Sequence, residues 1–93
     1  MQYLVISQRD ERNFTNEDFE AVIPAETEVV RKLYGDSIIR QIWLRGDVRG
    51  ACFLLEAESF EEAEAVVTGL PISQRRMSEF QIIPLQPYGG FTS

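Results

Sequence analysis

The apolar residues of this chain switch back and forth between the two regular periods of protein structure. They alternate over residues 2–7 (QYLVIS) and recur at helical spacing over 16–34. Two apolar, partly β-branched runs follow at 37–45 (SIIRQIWLR) and 48–57 (VRGACFLLEA). Helical spacing returns at 60–70 (FEEAEAVVTGL), and the last run is EFQIIPLQ at 79–86. A period near two marks a strand and one near 3.6 a helix, so the predicted order is βαββαβ. Strand–helix–strand crossovers are right-handed. Two of them joined by a central hairpin give the α+β ferredoxin-like arrangement: a four-stranded antiparallel sheet with both helices on one face. A length of 93 residues suits one domain. We assign it residues 1–87, leaving 88–93 (YGGFTS) as a tail too short and glycine-rich to form an element.

Local signals sharpen the boundaries. Thr15 is placed to cap the first helix, with Asp18 three residues on completing a capping box, and Gly35 is the expected stop. Pro24 removes a helical hydrogen bond, so a kink or restart is expected just ahead of Glu26. Ser59 is placed to cap the second helix, and Gly69 and Pro71 to end it. ISQRR reads as a polar connector, and Pro84 suits an edge strand or a strand end.

Strict alternation puts Ile38, Arg40, Ile42 and Leu44 on one side of the second strand and Ile39, Trp43 and Arg45 on the other. Cys52 and Leu54 oppose Phe53 and Leu55 in the same way. Apolar residues in both parities imply a sheet buried on both faces. The helices cover one face, so the second is expected to pack on another copy, as a homodimer of the dimeric α/β-barrel kind.

Composition narrows the function classes. A net charge of −6 and no cluster of Lys and Arg argue against nucleic acid and anionic membranes as partners. The absence of histidine removes imidazole acid–base chemistry, a Ser–His–Asp triad and His-ligated haem or zinc; we expect no metal and no cofactor. The single Cys52, set in ACFLL, reads as a buried, inert thiol of a reducing compartment. No apolar run reaches membrane-spanning length and no secretory signal is seen, so the expected location is cytoplasmic.

One residue breaks the pattern. Phe19, Val22, Ile23, Val29, Val30 and Leu33 form one stripe of the first helix, and Glu26 falls near its centre. Burying an unpaired charge is costly. The carboxylate therefore either pairs with a strand arginine, as a structural ion pair, or faces a ligand pocket where partial burial raises its proton affinity. Arg40 and Arg45, which strict alternation sets on opposite sides of the second strand, are the candidate partners or anion clamps. Trp43 and Tyr3 are core or interface aromatics on one reading, and a flat wall and a hydroxyl for a pocket on the other.

The run ETEVVRKLYGDSIIRQIWL, residues 26–44, with Leu70-Pro71, Met77 and the IIPL of the last strand, resembles the muconolactone isomerase family over roughly residues 25–85. That resemblance implies a dimeric α/β barrel and a cofactor-free isomerase that moves a proton on a small unsaturated lactone or carbonyl compound. It implies Glu26 as the catalytic base and Arg40, with Trp43 and Tyr3, as substrate-binding residues. The family carries a histidine near the position of Asp47, and this chain has none. The alternative from a different class is a non-catalytic ligand-binding or assembly module on the same fold.

Overall fold

The computed structural model describes residues 1–91. Its long elements follow the predicted order: β1 Gln2–Arg9, α1 Asn16–Gly35, β2 Ile39–Leu44, β3 Ala51–Glu56, α2 Phe60–Thr68, and, after a short α3 Pro71–Gln74, β4 Ser78–Pro84. The four strands form one antiparallel sheet in the order β2-β3-β1-β4, the ferredoxin-like topology. Pro84 ends β4, an edge strand, where a missing N–H costs no ladder bond.

The caps of α1 and α2 match their sequence signals. Thr15 and Asp18 form the reciprocal capping box, and the Ser59 hydroxyl accepts from the Glu62 N–H at 3.2 Å. One expectation is corrected: α1 does not restart at Pro24 but runs through it as one element, because a 20-residue helix anchored at both ends tolerates one absent bond. Gly35 is its last residue, as expected, and the left-handed residue just beyond the end is Ser37, at φ 63°. There the Ile38 N–H reaches Leu33 O at 2.9 Å and the Ser37 N–H reaches Tyr34 O at 3.1 Å, a Schellman ending. The predicted polar connector is also corrected, because Pro71–Gln74 is a helical turn. Arg76, at φ 57°, closes it with the same pair of bonds, Met77 N–H to Ile72 O and Arg76 N–H to Ser73 O. In the tail, Gly89–Phe91 form a 3₁₀ turn, and Thr92 and Ser93 lie outside the described residues.

The helix-covered side of the sheet holds two apolar clusters. The larger joins Tyr3, Val5, Ile39, Phe53 and Leu55 of the strands to Ala63 and Val67 of α2 and to Leu70. The smaller joins Phe19 and Val22 of α1 to Met77. A β-bulge between Ile39 and Gln41 shifts the pairing of β2. Ile39 and Ile42 consequently share the helix side, paired with Leu55 and Phe53, while Trp43, paired with Cys52, faces away. The strict alternation expected for β2 is thereby overturned: the extra residue lets apolar side chains of both parities reach one face.

The other face of the sheet presents Leu4, Ile6, Trp43, Cys52, Leu54 and Ile83, interleaved by register with the buried residues. Trp43 is half exposed there. Cys52 is only partly buried on this face, and not in the core as its apolar neighbours suggested. Phe53 and Leu55 take the core positions beside it.

Candidate functional site

Between α1 and the sheet lies a cleft of about 540 Å³. Its α1 wall is Ile23, Glu26, Thr27, Val30 and Arg31, residues spaced at i, i+3, i+4, i+7 and i+8. Its floor is Ser7, Ala51, Phe53 and Phe80 of the strands; α3 and Leu70 close one side, and the β2–β3 hairpin with Arg45 and Arg49 rims the other. Gly50 allows the hairpin to lie this close to β1, since a Cβ at that position would collide with the backbone oxygen of Ser7. The buried Ser7 hydroxyl fastens the same contact by accepting from the Ala51 N–H at 2.9 Å.

Glu26 sits where the two apolar clusters part. Its carboxylate accepts a hydrogen bond from the Ile72 N–H at 3.0 Å. Ile72 is the second residue of α3, whose N-cap Leu70 offers no side-chain oxygen. Glu26 thus satisfies a first-turn donor of another helix, one of the N–H groups that lack an intrahelical partner. No cation lies within ion-pair distance of it among the described residues. Burial raises its proton affinity above the ordinary value, and the Ile72 N–H opposes that rise without cancelling it. A carboxyl group in this state, on an apolar cleft, takes up a proton more readily than a solvated one and is placed to act as an acid or base.

The rim is cationic. Arg45 grips Asp47 through two bonds, 3.0 Å from Nε and 2.7 Å from Nη2, which hold the Asp47 carboxyl down to about 2. The Arg9 guanidinium lies 4.6 Å from the Phe19 ring centre, and Arg49 donates to Asn16 at 3.1 Å. No three metal-ligating side chains gather among the described residues. No helix among them is long and apolar enough to cross a membrane.

Of the residues singled out from sequence, Glu26 and Arg45 line the cleft. Arg40 falls at the β2 bulge, exposed, and is not the partner of Glu26; the pairing shift removes it from the face that strict alternation gave it. Trp43 is on the opposite face of the sheet. Tyr3 is buried in the larger cluster, its hydroxyl directed at the Met1 sulfur at 3.8 Å. Sequence reasoning missed α3 and, on the cleft, Arg9 and Arg31. The Leu70-Pro71 pair, with proline at the first helical position, was the one available signal for α3.

No family model matches the sequence, and no curated protein matches it. Among solved structures the chain is similar to 5-chloro-2-hydroxyhydroquinone dehydrochlorinase (TftG) from Burkholderia phenoliruptrix AC1100 in complex with 2,5-dihydroxybenzoquinone. The TM-score is 0.71 at 14% identity, over 97% of this chain and 98% of that one. The fold is shared. The likeness at this identity speaks for the fold and for nothing finer.

Proposed function

We propose that this chain is a cofactor-free enzyme of the proton-transfer type, acting on a small unsaturated lactone or related carbonyl compound, with Glu26 as the base. The observation that carries the reading is a partly desolvated carboxylate, unpaired with any cation among the described residues, on the wall of an apolar cleft. Ionised Glu26 would take the proton from the carbon next to the carbonyl, leaving an enolate. Glu26, its carboxyl proton exchanging with solvent, would then give a proton to the far carbon of the conjugated system, which moves the double bond and restores the carboxylate. The hydroxyls of Thr27 and Ser78 and the guanidiniums of the rim are the donors in the cleft for the enolate oxygen. The fold neighbour is a dehydrochlorinase in complex with 2,5-dihydroxybenzoquinone, so a fold of this kind can host chemistry on a compact unsaturated carbonyl compound.

The muconolactone isomerase resemblance fits this reading, and the assignment to that family is part of the proposal. We also propose a homodimer through the open sheet face. Leu4, Ile6, Trp43, Leu54 and Ile83 supply its apolar centre. Arg40 and Glu79 stand near opposite corners of that face, on the two edge strands. A two-fold axis along the other diagonal would bring each onto its opposite in the second copy. Arg40 and Trp43 then serve association rather than substrate binding. Sedimentation as a monomer at micromolar concentration would refute this part.

One observation favours the non-catalytic module: the Glu26–Ile72 bond is itself a structural use of the carboxylate. The two readings separate on Glu26→Gln, whose amide oxygen can still accept from the Ile72 N–H. Incorporation of solvent deuterium into a panel of unsaturated lactones, followed by proton NMR, is the test. Loss of a positioned base should slow exchange by about 10²–10⁴ while melting is preserved. Exchange that is undiminished in the variant, or absent from the native protein across the panel, would leave the binding module as the better reading.

A further inference from the structure

A base works only where it is held. A glutamate side chain is long and freely rotating, and a proton acceptor that wanders loses rate even when its proton affinity is right. No cation holds Glu26 among the described residues. Its one hydrogen bond among them is from the Ile72 N–H to Oε1, at 3.0 Å. Oε2 has no such partner. No buried side-chain oxygen goes unpartnered among the described residues, so Oε2 keeps an open side, on a residue that lines the cleft.

α3 keeps the donor in place. Leu70, just before it, is buried in the larger apolar cluster, and Met77, just after Arg76, is buried in the smaller. The turn is closed by its own bonds, Gln74 N–H to Leu70 O at 2.9 Å and Arg75 N–H to Pro71 O at 3.1 Å. Pro71 stands at the first helical position, where its ring fixes φ and it has no N–H to offer. Ile72 therefore carries the first free N–H of the turn. Residues 71–74 add no fully buried side chain to the core. Their one hydrogen bond to another helix or strand, among the described residues, is the bond to Glu26.

We propose that the Ile72 N–H is the positioning group of the base: it holds Oε1, fixes the carboxylate in one orientation, and leaves Oε2 as the oxygen that takes and gives the proton. In enzymes with a side-chain base a third group commonly orients that base. Here the orienting group is main chain, set by a turn anchored in both clusters. The bond also acts on charge. A donor to the carboxylate favours the anion against the burial that disfavours it, so the N–H that aims Glu26 also keeps more of it ionised. The positioning role deepens the proton-transfer reading and rests on it.

The test removes the N–H and nothing else of Ile72. Semisynthesis with the matching α-hydroxy acid turns that N–H into an ester oxygen and keeps the side chain. The Glu26 midpoint, read by ¹³C NMR, should then rise by about one pH unit. Solvent-deuterium exchange into the lactone panel should slow by about ten- to a hundredfold. The same replacement at Ser73, whose N–H donates to nothing among the described residues, should do neither. In the native protein, proton couplings along the Glu26 side chain should report a single rotamer, a result that does not depend on the ester protein folding. A midpoint that stays or falls, an equal effect of the Ser73 ester, or rotamer averaging at Glu26 overturns the proposal. Exchange present in the native protein but undiminished by the Ile72 ester overturns the positioning role alone. Exchange absent from the native protein overturns the proton-transfer reading, and the positioning role with it.

Discussion

The two long helices lie on the same face of the same sheet and meet it differently. α2 is short and buries Ala63 and Val67 completely in the larger cluster, with its acidic residues outside. α1 is twice as long, yet only Phe19 and Val22 are fully buried, and a carboxylate interrupts its stripe. Where α2 closes on the sheet there is core. Where α1 stands off it there is a cleft, with Glu26 at the junction of the two apolar clusters. A charge inside an apolar stripe marks the point where packing gives way to a site.

That contrast is broken most severely by putting a charge on the other helix. Val67→Glu places an unpaired carboxylate in a closed core. It should cost about 4 kcal/mol or more, enough to abolish cooperative thermal unfolding in a marginal domain. A folded Val67→Glu protein with a near-native melting curve would mean that α2 is no better packed than α1. The far wall of the cleft comes next. Gly50→Ala drives a methyl group into the β1 backbone at Ser7, which should cost about 3 kcal/mol in urea unfolding.

The smaller effects sharpen the picture. Ser37 pays the steric cost of a left-handed residue at the end of α1. Ser37→Gly relieves it and should raise stability by about 0.5–1 kcal/mol, read as a higher urea midpoint at unchanged slope. Least in size is a pH effect at Glu26. A carboxyl whose proton affinity is raised on folding holds its proton more tightly in the folded state, so its ionisation works against folding. That penalty is absent below the ordinary carboxylate range. It sets in as pH rises through the folded pKa and persists above it. Glu26→Gln has no such penalty, so its melting temperature should gain on the native protein's between pH 4 and 7. A gain on acidification instead would mean that Glu26 is stabilised as the anion.

Much of this fold was legible because its signals are local. Thr15, Asp18 and Ser59 announce helix starts through bonds to backbone groups three residues away, and the strands carry their own periodicity. Glu26 was legible as an anomaly for the same reason. What it faces was not. The donor that meets it comes from α3, whose four residues are too few to show a period. Arg40 was misplaced because strict alternation has no way to register a bulge, and one extra residue in β2 reverses the face of everything beyond it. The gathering of Arg9, Arg31, Arg45 and Arg49 joins three segments distant in sequence, and only the folded sheet brings them together.

Glu26 is a partly desolvated, cleft-facing carboxyl rather than an ion-paired or solvated one. A ¹³C NMR titration of its side-chain carboxyl carbon tests that directly, with the Ile72 amide followed in the same samples. A midpoint clearly above the ordinary 4.5, matched by a titration of the Ile72 amide at the same pH, is the predicted result. A midpoint at or below 4.5, or an Ile72 amide blind to the transition, would contradict it.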